Sequence, residues 1–221
     1  MSRIAVVVFP GSNCELDAQW ALRGLGAEAE LVWHRETDLS GFDGVVLPGG
    51  FAHGDYLRAG AIARFSPVMS AVTEMAETGR PVVGICNGFQ ILCEAGLLPG
   101  ALIANRDLRF ICRPVEVEVI DTDTVLTATV EPGTVVTLPL SSYEGQLTDP
   151  TGTARVVARY VEDVNGSQDR AAAIANEAGN VVGIMPHPER SSEEILGSAD
   201  GRVLLESLVA ATEKIPARER N

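Results

Sequence analysis

The chain has 221 residues, 46% of them hydrophobic, and a formal charge of −13 at pH 7. That is enough apolar material for one substantial α/β core and too short for two full ones. The acidity repels phosphate backbones, which argues against nucleic acid as a partner, and no apolar run approaches the ~20 residues of a membrane span. The four cysteines (Cys14, Cys86, Cys93 and Cys112) have no paired spacing that suggests zinc or a disulfide framework. Met1-Ser2-Arg3 leads into an apolar run without a small-residue cleavage pattern, so the expected home is the reducing cytoplasm.

In chain order, Ile4–Phe9 reads as a buried strand ended by Pro10-Gly11. Ser12 or Asn13 is placed to cap a helix with Ala18, Leu22 and Leu25 on one face, stopping near Gly24-Leu25-Gly26. Glu30–Trp33 and Gly44–Leu47 read as further strands, the latter closed by Pro48-Gly49-Gly50. Residues Leu57 to Thr78 read as helical, with a break at Ser66-Pro67 where serine can cap and proline can restart the helix. Val82–Ile85 is the next strand and Phe89–Ala95 the next helix.

After Gly100 the pattern changes to Val- and Thr-rich segments, Val115–Ile120, Thr124–Val130, Thr134–Leu138 and Arg155–Val161, separated by turn residues. These read as antiparallel ribbons. Ala171–Ala175 and Val181–Met185 return to buried strands, and a last helix aligns Leu204, Leu208 and Ala211. Together they predict an α/β fold, an open and mostly parallel sheet with helices on both faces plus an antiparallel β-ribbon excursion, in one domain over residues 1–221.

The segment most informative about chemistry is Gly84-Ile85-Cys86-Asn87-Gly88. Glycines bracket a cysteine at a strand-to-helix junction, the thiol counterpart of a nucleophile elbow. A sharp turn there crowds the backbone on both sides. It lifts the sulfur above the carboxyl edge of the sheet and onto a helix N-terminus, which favours thiolate. A lone cysteine is more often a small buried hydrophobe. Cys14 competes, since it also follows a strand near a helix start, but it lacks bracketing glycines and has Glu15 beside it. Cys93 and Cys112 read as core residues.

A thiol nucleophile needs a histidine, and the chain has only His34, His53 and His187. His187 lies in Met185-Pro186-His187-Pro188-Glu189, where flanking prolines favour an extended segment. Residues two apart then share a side, so Glu189 can orient the ring as the third member of a triad. By itself such a stretch could equally be a Pro-rich turn with a solvated acid. His34 reads as a strand-end residue and His53 as a residue of the site rim. The Pro48-Gly49-Gly50 loop supplies a candidate oxyanion donor at Gly50, and Asn87, after the nucleophile, supplies the other. Losing one such donor typically costs ~10²–10³ in rate.

With these residues together, the chain resembles the class I, triad-type glutamine amidotransferases, and among them the glutaminase subunits of phosphoribosylformylglycinamidine synthases of purine biosynthesis. The stretches that carry the likeness are Phe9–Cys14, Pro48–Phe51 with Gly54–Ala63, Gly84–Gln90, Val164–Ser167 and Met185–Arg190. The resemblance implies a flavodoxin-like sheet and a Cys86–His187–Glu189 triad that hydrolyses glutamine through a thioester. It also implies glutamine binding by Gln90, Gly49 and Phe51, and no cofactor or metal in this chain. ATP and Mg²⁺ are expected on a large synthetase subunit that receives the ammonia, with a small accessory subunit beside it. A glutaminase serving another synthetase, or a catalytically silent interaction subunit, are the alternatives. A further expectation is that the Gly49-Gly50 peptide moves when the partner completes the oxyanion hole. The chain departs from the family pattern at Leu140–Gly145 and Gln168–Ala173, and both departures are expected to bear on partner contacts more than on chemistry.

Overall fold

Continuous Val, Ile and Ala runs have no polar face to offer water, so they belong in a sheet covered on both sides. In the computed structural model, which describes residues 2–215, β1 (Arg3–Val8), β3 (Gly44–Leu47) and β4 (Val82–Ile85) are such strands. So are β10 (Ala171–Ala175) and β11 (Val181–Ile184), all five being largely or wholly buried. β2 (Glu28–Trp33) has exposed Glu28 and Glu30 and forms an edge, where charge discourages further pairing.

The main sheet has nine strands in the order β2-β1-β3-β4-β11-β10-β9-β6-β7. The run from β2 to β11 is parallel. From β10 onward pairing is antiparallel through β9 (Arg155–Tyr160), β6 (Ile111–Val119) and β7 (Val135–Ser142). The expected ribbon therefore extends the main sheet. A small separate pair joins β5 (Ala101–Ile103) to β8 (Gln146–Thr148). The helices are α1 (Glu15–Gly24), α2 (Val68–Glu77), α3 (Asn87–Glu94) and α4 (Arg202–Glu213). The class expected from sequence, a mostly parallel α/β sheet with an antiparallel addition, is the class observed. Residue 1 and residues 216–221 of the expected domain span lie outside the described residues.

Several local expectations are corrected. Thr124–Val130 is a series of turns: the Thr124 and Thr127 hydroxyls pair at 2.6 Å, Leu126 N donates to Thr124 Oγ1, and Ala128 N donates to Thr124 O. Threonine side chains here satisfy the backbone locally, which competes with a strand ladder. Only Val68–Glu77 of the long expected helix is α-helical. Residues 57–62 cannot join it, because Leu57 and Gly60 have φ of 72° and 81°. Ser66 does not cap α2; its hydroxyl sits 3.0 Å from His34 Nδ1 instead. Nor does Ser12 cap α1, because its hydroxyl accepts from Phe9 N at 3.0 Å and Cys14 occupies the cap position. Cys112 is exposed at the start of β6 rather than in the core.

Candidate active site

The carboxyl ends of β1, β3, β4 and β11, parallel neighbours in the sheet, deliver four loops to one edge, the usual place for ligands in open α/β folds. Cys86 follows β4 directly. Its backbone has φ 50° and ψ −104°, a sparsely populated conformation that costs on the order of 1–3 kcal/mol and persists only where its surroundings impose it. They do so here. Cys86 N donates to Ile184 O at 2.8 Å, and Cys86 O accepts from Gln90 N at 3.1 Å to begin α3. A Cβ on Gly84 would lie 2.6 Å from the Gly88 carbonyl, and one on Gly88 only 1.9 Å from Leu47 O. Both bracketing glycines are thus required by close approach. The Cys86 thiol, 8% exposed, donates to Ser141 O at 3.6 Å.

His187 is carried past β11 and anchored by its N–H on Pro139 O of β7 at 2.8 Å. Its Nδ1 donates to Glu189 Oε1 at 2.6 Å, and both residues are 2% exposed. The pairing agrees with the sequence expectation, but its cause does not. Pro188–Ser191 is a 3-10 turn, with proline at its start, so the turn rather than an extended segment brings Glu189 round to the ring. Nε2 of His187 is buried and makes no hydrogen bond within normal distance among the described residues. Burial disfavours the charged ring, but the Glu189 carboxylate and the Cys86 and Cys14 thiols outweigh it and hold the His187 pKa well above its ordinary value.

The other expected residues fall into two groups. Gln90 is buried, with Nε2 donating to Glu144 O at 2.6 Å and Oε1 accepting from Asn87 Nδ2 at 2.8 Å. It lines the same cleft as Cys86, His187, Gly50 and Phe51. Asn87 opens α3, so its N–H has no intrahelical acceptor. Gly50, φ 152°, is required because a Cβ would lie 2.7 Å from Ser12 Cα. Gly49 is different. Its Cα faces His187 and Cys14, where a Cβ would meet His187 Cε1 at 2.7 Å and Cys14 Sγ at 3.0 Å. A side chain at this position would therefore displace the histidine. The Gly49 carbonyl accepts from Asn13 N and Cys14 N at 3.3 and 3.2 Å, which ties the Gly49-Gly50 peptide to the start of α1 in this structure.

His53 is not on the rim. It lies at φ 54° with Nε2 3.4 Å from Ser66 Oγ and its ring 5.3 Å from that of His34. Cys14, the rival thiol, does line the cleft. Burial, more than any neighbouring charge, pushes its pKa up, and its thiol donates to Asn13 Oδ1 at 3.0 Å. Ligand atoms of Cys14, His187 and Glu189 lie within 4.8 Å of one another and are the described residues that could together hold a metal. The 2.6 Å bond between the facing His187 and Glu189 atoms reads as triad geometry.

The sequence reading missed part of the cleft wall: Asp55, Phe110 and the 141–144 segment line it too. The departure at Leu140–Gly145 therefore touches the site itself and not only partner contacts. The Val164–Ser167 motif explains how that segment is held. Asn165 Nδ2 donates to Gly145 O at 2.7 Å, and Ser167 Oγ donates to the same carbonyl at 3.3 Å. The cleft holds about 260 Å³, below the ~300–1,000 Å³ typical of sites for drug-sized ligands, so it suits a small metabolite.

Comparison with known proteins shows the family of the chain. The family model of the CobB/CobQ-like glutamine amidotransferase domain matches residues 1–204. The phosphoribosylformylglycinamidine synthase subunit PurQ of Rubrobacter xylanophilus is 53% identical over 215 residues, covering 94% of this chain and 98% of the relative. The subunit of the same name from Lacticaseibacillus paracasei is 51% identical, with 98% of each chain covered. A chain in the structure of PurLQS from Thermotoga maritima superimposes with a TM-score of 0.91 at 44% identity, covering 95% of this chain and 99% of that one. A GMP synthase-like protein from Thermoplasma acidophilum shares the fold, with a TM-score of 0.68 at 17% identity.

Proposed function

Because the chain belongs to the CobB/CobQ-like glutamine amidotransferase family, we propose that Cys86, His187 and Glu189 are its catalytic triad and that residues 1–221 act as one glutaminase domain. The protein is a glutamine amidotransferase, the glutaminase subunit of a phosphoribosylformylglycinamidine synthase, and it works in complex with a synthetase partner. Glutamine as the bound substrate, a small accessory subunit, and ATP with Mg²⁺ on the synthetase complete the reading. Among the described residues no helix is long and apolar enough to cross a membrane.

The observation that carries the reading is the His187–Glu189 bond of 2.6 Å, with a buried Nε2 that makes no hydrogen bond among the described residues, in the cleft that also holds Cys86. Glu189 fixes the tautomer and stabilises the imidazolium. In the first step the Cys86 sulfur attacks the side-chain amide carbon of glutamine, and the carbonyl oxygen takes the negative charge. The N–H groups of Asn87 and Gly50 are the donors proposed to stabilise it. Collapse of this intermediate breaks the C–N bond, His187 gives its proton to the leaving nitrogen, and ammonia departs from a glutamyl thioester. Neutral His187 then takes a proton from water as the hydroxyl adds to the thioester carbon. Glutamate leaves, and the thiolate and imidazolium are restored.

The test is labelling of the complex with a diazo-ketone analogue of glutamine. The expected result is one stoichiometric adduct on Cys86 and none on Cys14. An adduct on Cys14, or none with the synthetase present, would overturn the assignment.

A further inference from the structure

We propose that Asp55 and Glu144 form the subsite for the α-ammonium group of glutamine, and thereby set the preference for an amino acid over a plain amide. The inference rests on reading the cleft as a glutamine site. Both side chains line the cavity that contains Cys86 and the buried Nε2 of His187.

Helix α3 serves as a ruler. Cys86 caps its start and Gln90 lies four residues further on, a rise of about 6 Å. In glutamine, four bonds of about 1.5 Å separate the scissile carbon from the α-nitrogen, so an extended substrate spans a comparable length. The two acids are tied to that turn. Asn87 Nδ2 donates to Asp55 Oδ1 at 3.1 Å and to Gln90 Oε1 at 2.8 Å. Gln90 Nε2 donates to Glu144 O at 2.6 Å, and Glu144 Oε2 accepts from Ala59 N at 3.0 Å. A substrate with its amide at Cys86 therefore brings its α-nitrogen to the end of the cleft where these carboxylates are held.

The charge pattern calls for a cation there. Arg190, a positive side chain of the cleft, is turned onto Asp17 with Nε 3.0 Å from Oδ2. Arg58, whose field reaches Glu144, is forked onto Glu94. Burial first, and then the Glu144 charge, raise the Asp55 pKa to about 6. An ammonium group between the two would relieve both effects. A resident metal ion fits less well, because no third His, Cys, Asp or Glu among the described residues converges on the pair.

The test compares glutamine with 4-carbamoylbutanoate, the same molecule without its amino group, using the complex with the synthetase. The quantity read is the ratio of kcat/KM for the two substrates. Asp55→Asn keeps an oxygen for Asn87 while removing the charge, and Glu144→Gln does the equivalent. Each is expected to lower the ratio about 10- to 100-fold, the range of a charge-assisted hydrogen bond, chiefly through the KM for glutamine. A ratio unchanged in both variants, whatever happens to the absolute rates, overturns the proposal, since a structural role would weaken both substrates alike. If Asp55→Asn does not fold, Glu144→Gln carries the same ratio test. A wild-type complex that hydrolyses no glutamine would instead sink the glutaminase reading itself.

Discussion

Leu47 and Gly88 meet so closely that a methyl group on Gly88 would begin 1.9 Å from the Leu47 carbonyl oxygen. The contact presses the first turn of α3 onto the end of β3 and so fixes the height of Cys86 above the sheet. Gly88→Ala has to move backbone, which no flexible side chain can absorb. We expect a loss of at least the ~1–3 kcal/mol typical of overpacking, read by urea unfolding, together with loss of glutaminase activity. Gly24→Ala makes the contrast. This helical glycine has only Glu193 Oε1 near its absent Cβ, at 3.9 Å, and the change should stabilise by about 0.4–1 kcal/mol.

Glu189→Gln tests the electrostatic half of the triad. The glutamine keeps a hydrogen-bonding group beside Nδ1 but removes the charge that opposes the burial penalty on the His187 cation. The His187 pKa should fall, carrying the alkaline limb of the glutaminase pH profile to lower pH, with kcat reduced by about 10²–10⁴. The stability effect has a definite sign. A histidine whose folded pKa is raised contributes stability that is complete below its unfolded pKa of about 6.5 and is lost as pH rises through the folded value. The difference in unfolding free energy between wild type and Glu189→Gln should therefore be largest below that pH and shrink above the folded pKa. A variant with an unshifted alkaline limb would contradict the role given to Glu189.

Asn165→Ala tests how the cleft wall is held. Asn165 Nδ2 donates to Gly145 O and its Oδ1 accepts from Ser167 N, both in buried surroundings. Truncation leaves those backbone groups short of partners, at a cost of about 1–3 kcal/mol. The 141–145 segment should loosen, and the KM for glutamine should rise more than kcat falls. Steady-state kinetics of the complex, with thermal unfolding in parallel, read both.

The parts of the site legible in the sequence were those with a local cause. Gly84 and Gly88 marked the elbow because close backbone contact on both sides excludes every other residue. The His187–Glu189 spacing marked the pair, although a 3-10 turn turned out to deliver it. The central strands were legible because runs such as Val82–Ile85 and Ala171–Ala175 are buried throughout. What was not legible depended on distant partners. Thr124–Val130 has strand-like composition, but its hydroxyls close turns and Thr129 bonds Ser207 of α4 at 2.6 Å. Residues 57–62 look helical until Gly60 is seen against Ile91 N, where a Cβ would sit at 2.8 Å. Gly49 read as a substrate contact from its place in the Pro48-Gly49-Gly50 loop, and only the fold brings its Cα against His187 and Cys14. Asp55 and Glu144 are ordinary acids in sequence, and they become a pair only when α3 draws their two loops together.

The central claim is that ammonia is generated at Cys86 and nowhere else in the complex. The direct measurement is amidine synthesis by the complex carrying Cys86→Ser, assayed in parallel with glutamine and with ammonium salt as nitrogen donor. Glutamine-dependent synthesis should vanish while ammonia-dependent synthesis continues, and Cys14→Ser should retain glutamine-dependent synthesis. Glutamine-dependent synthesis that survives Cys86→Ser, or that is lost with Cys14→Ser instead, would contradict the assignment of the nucleophile.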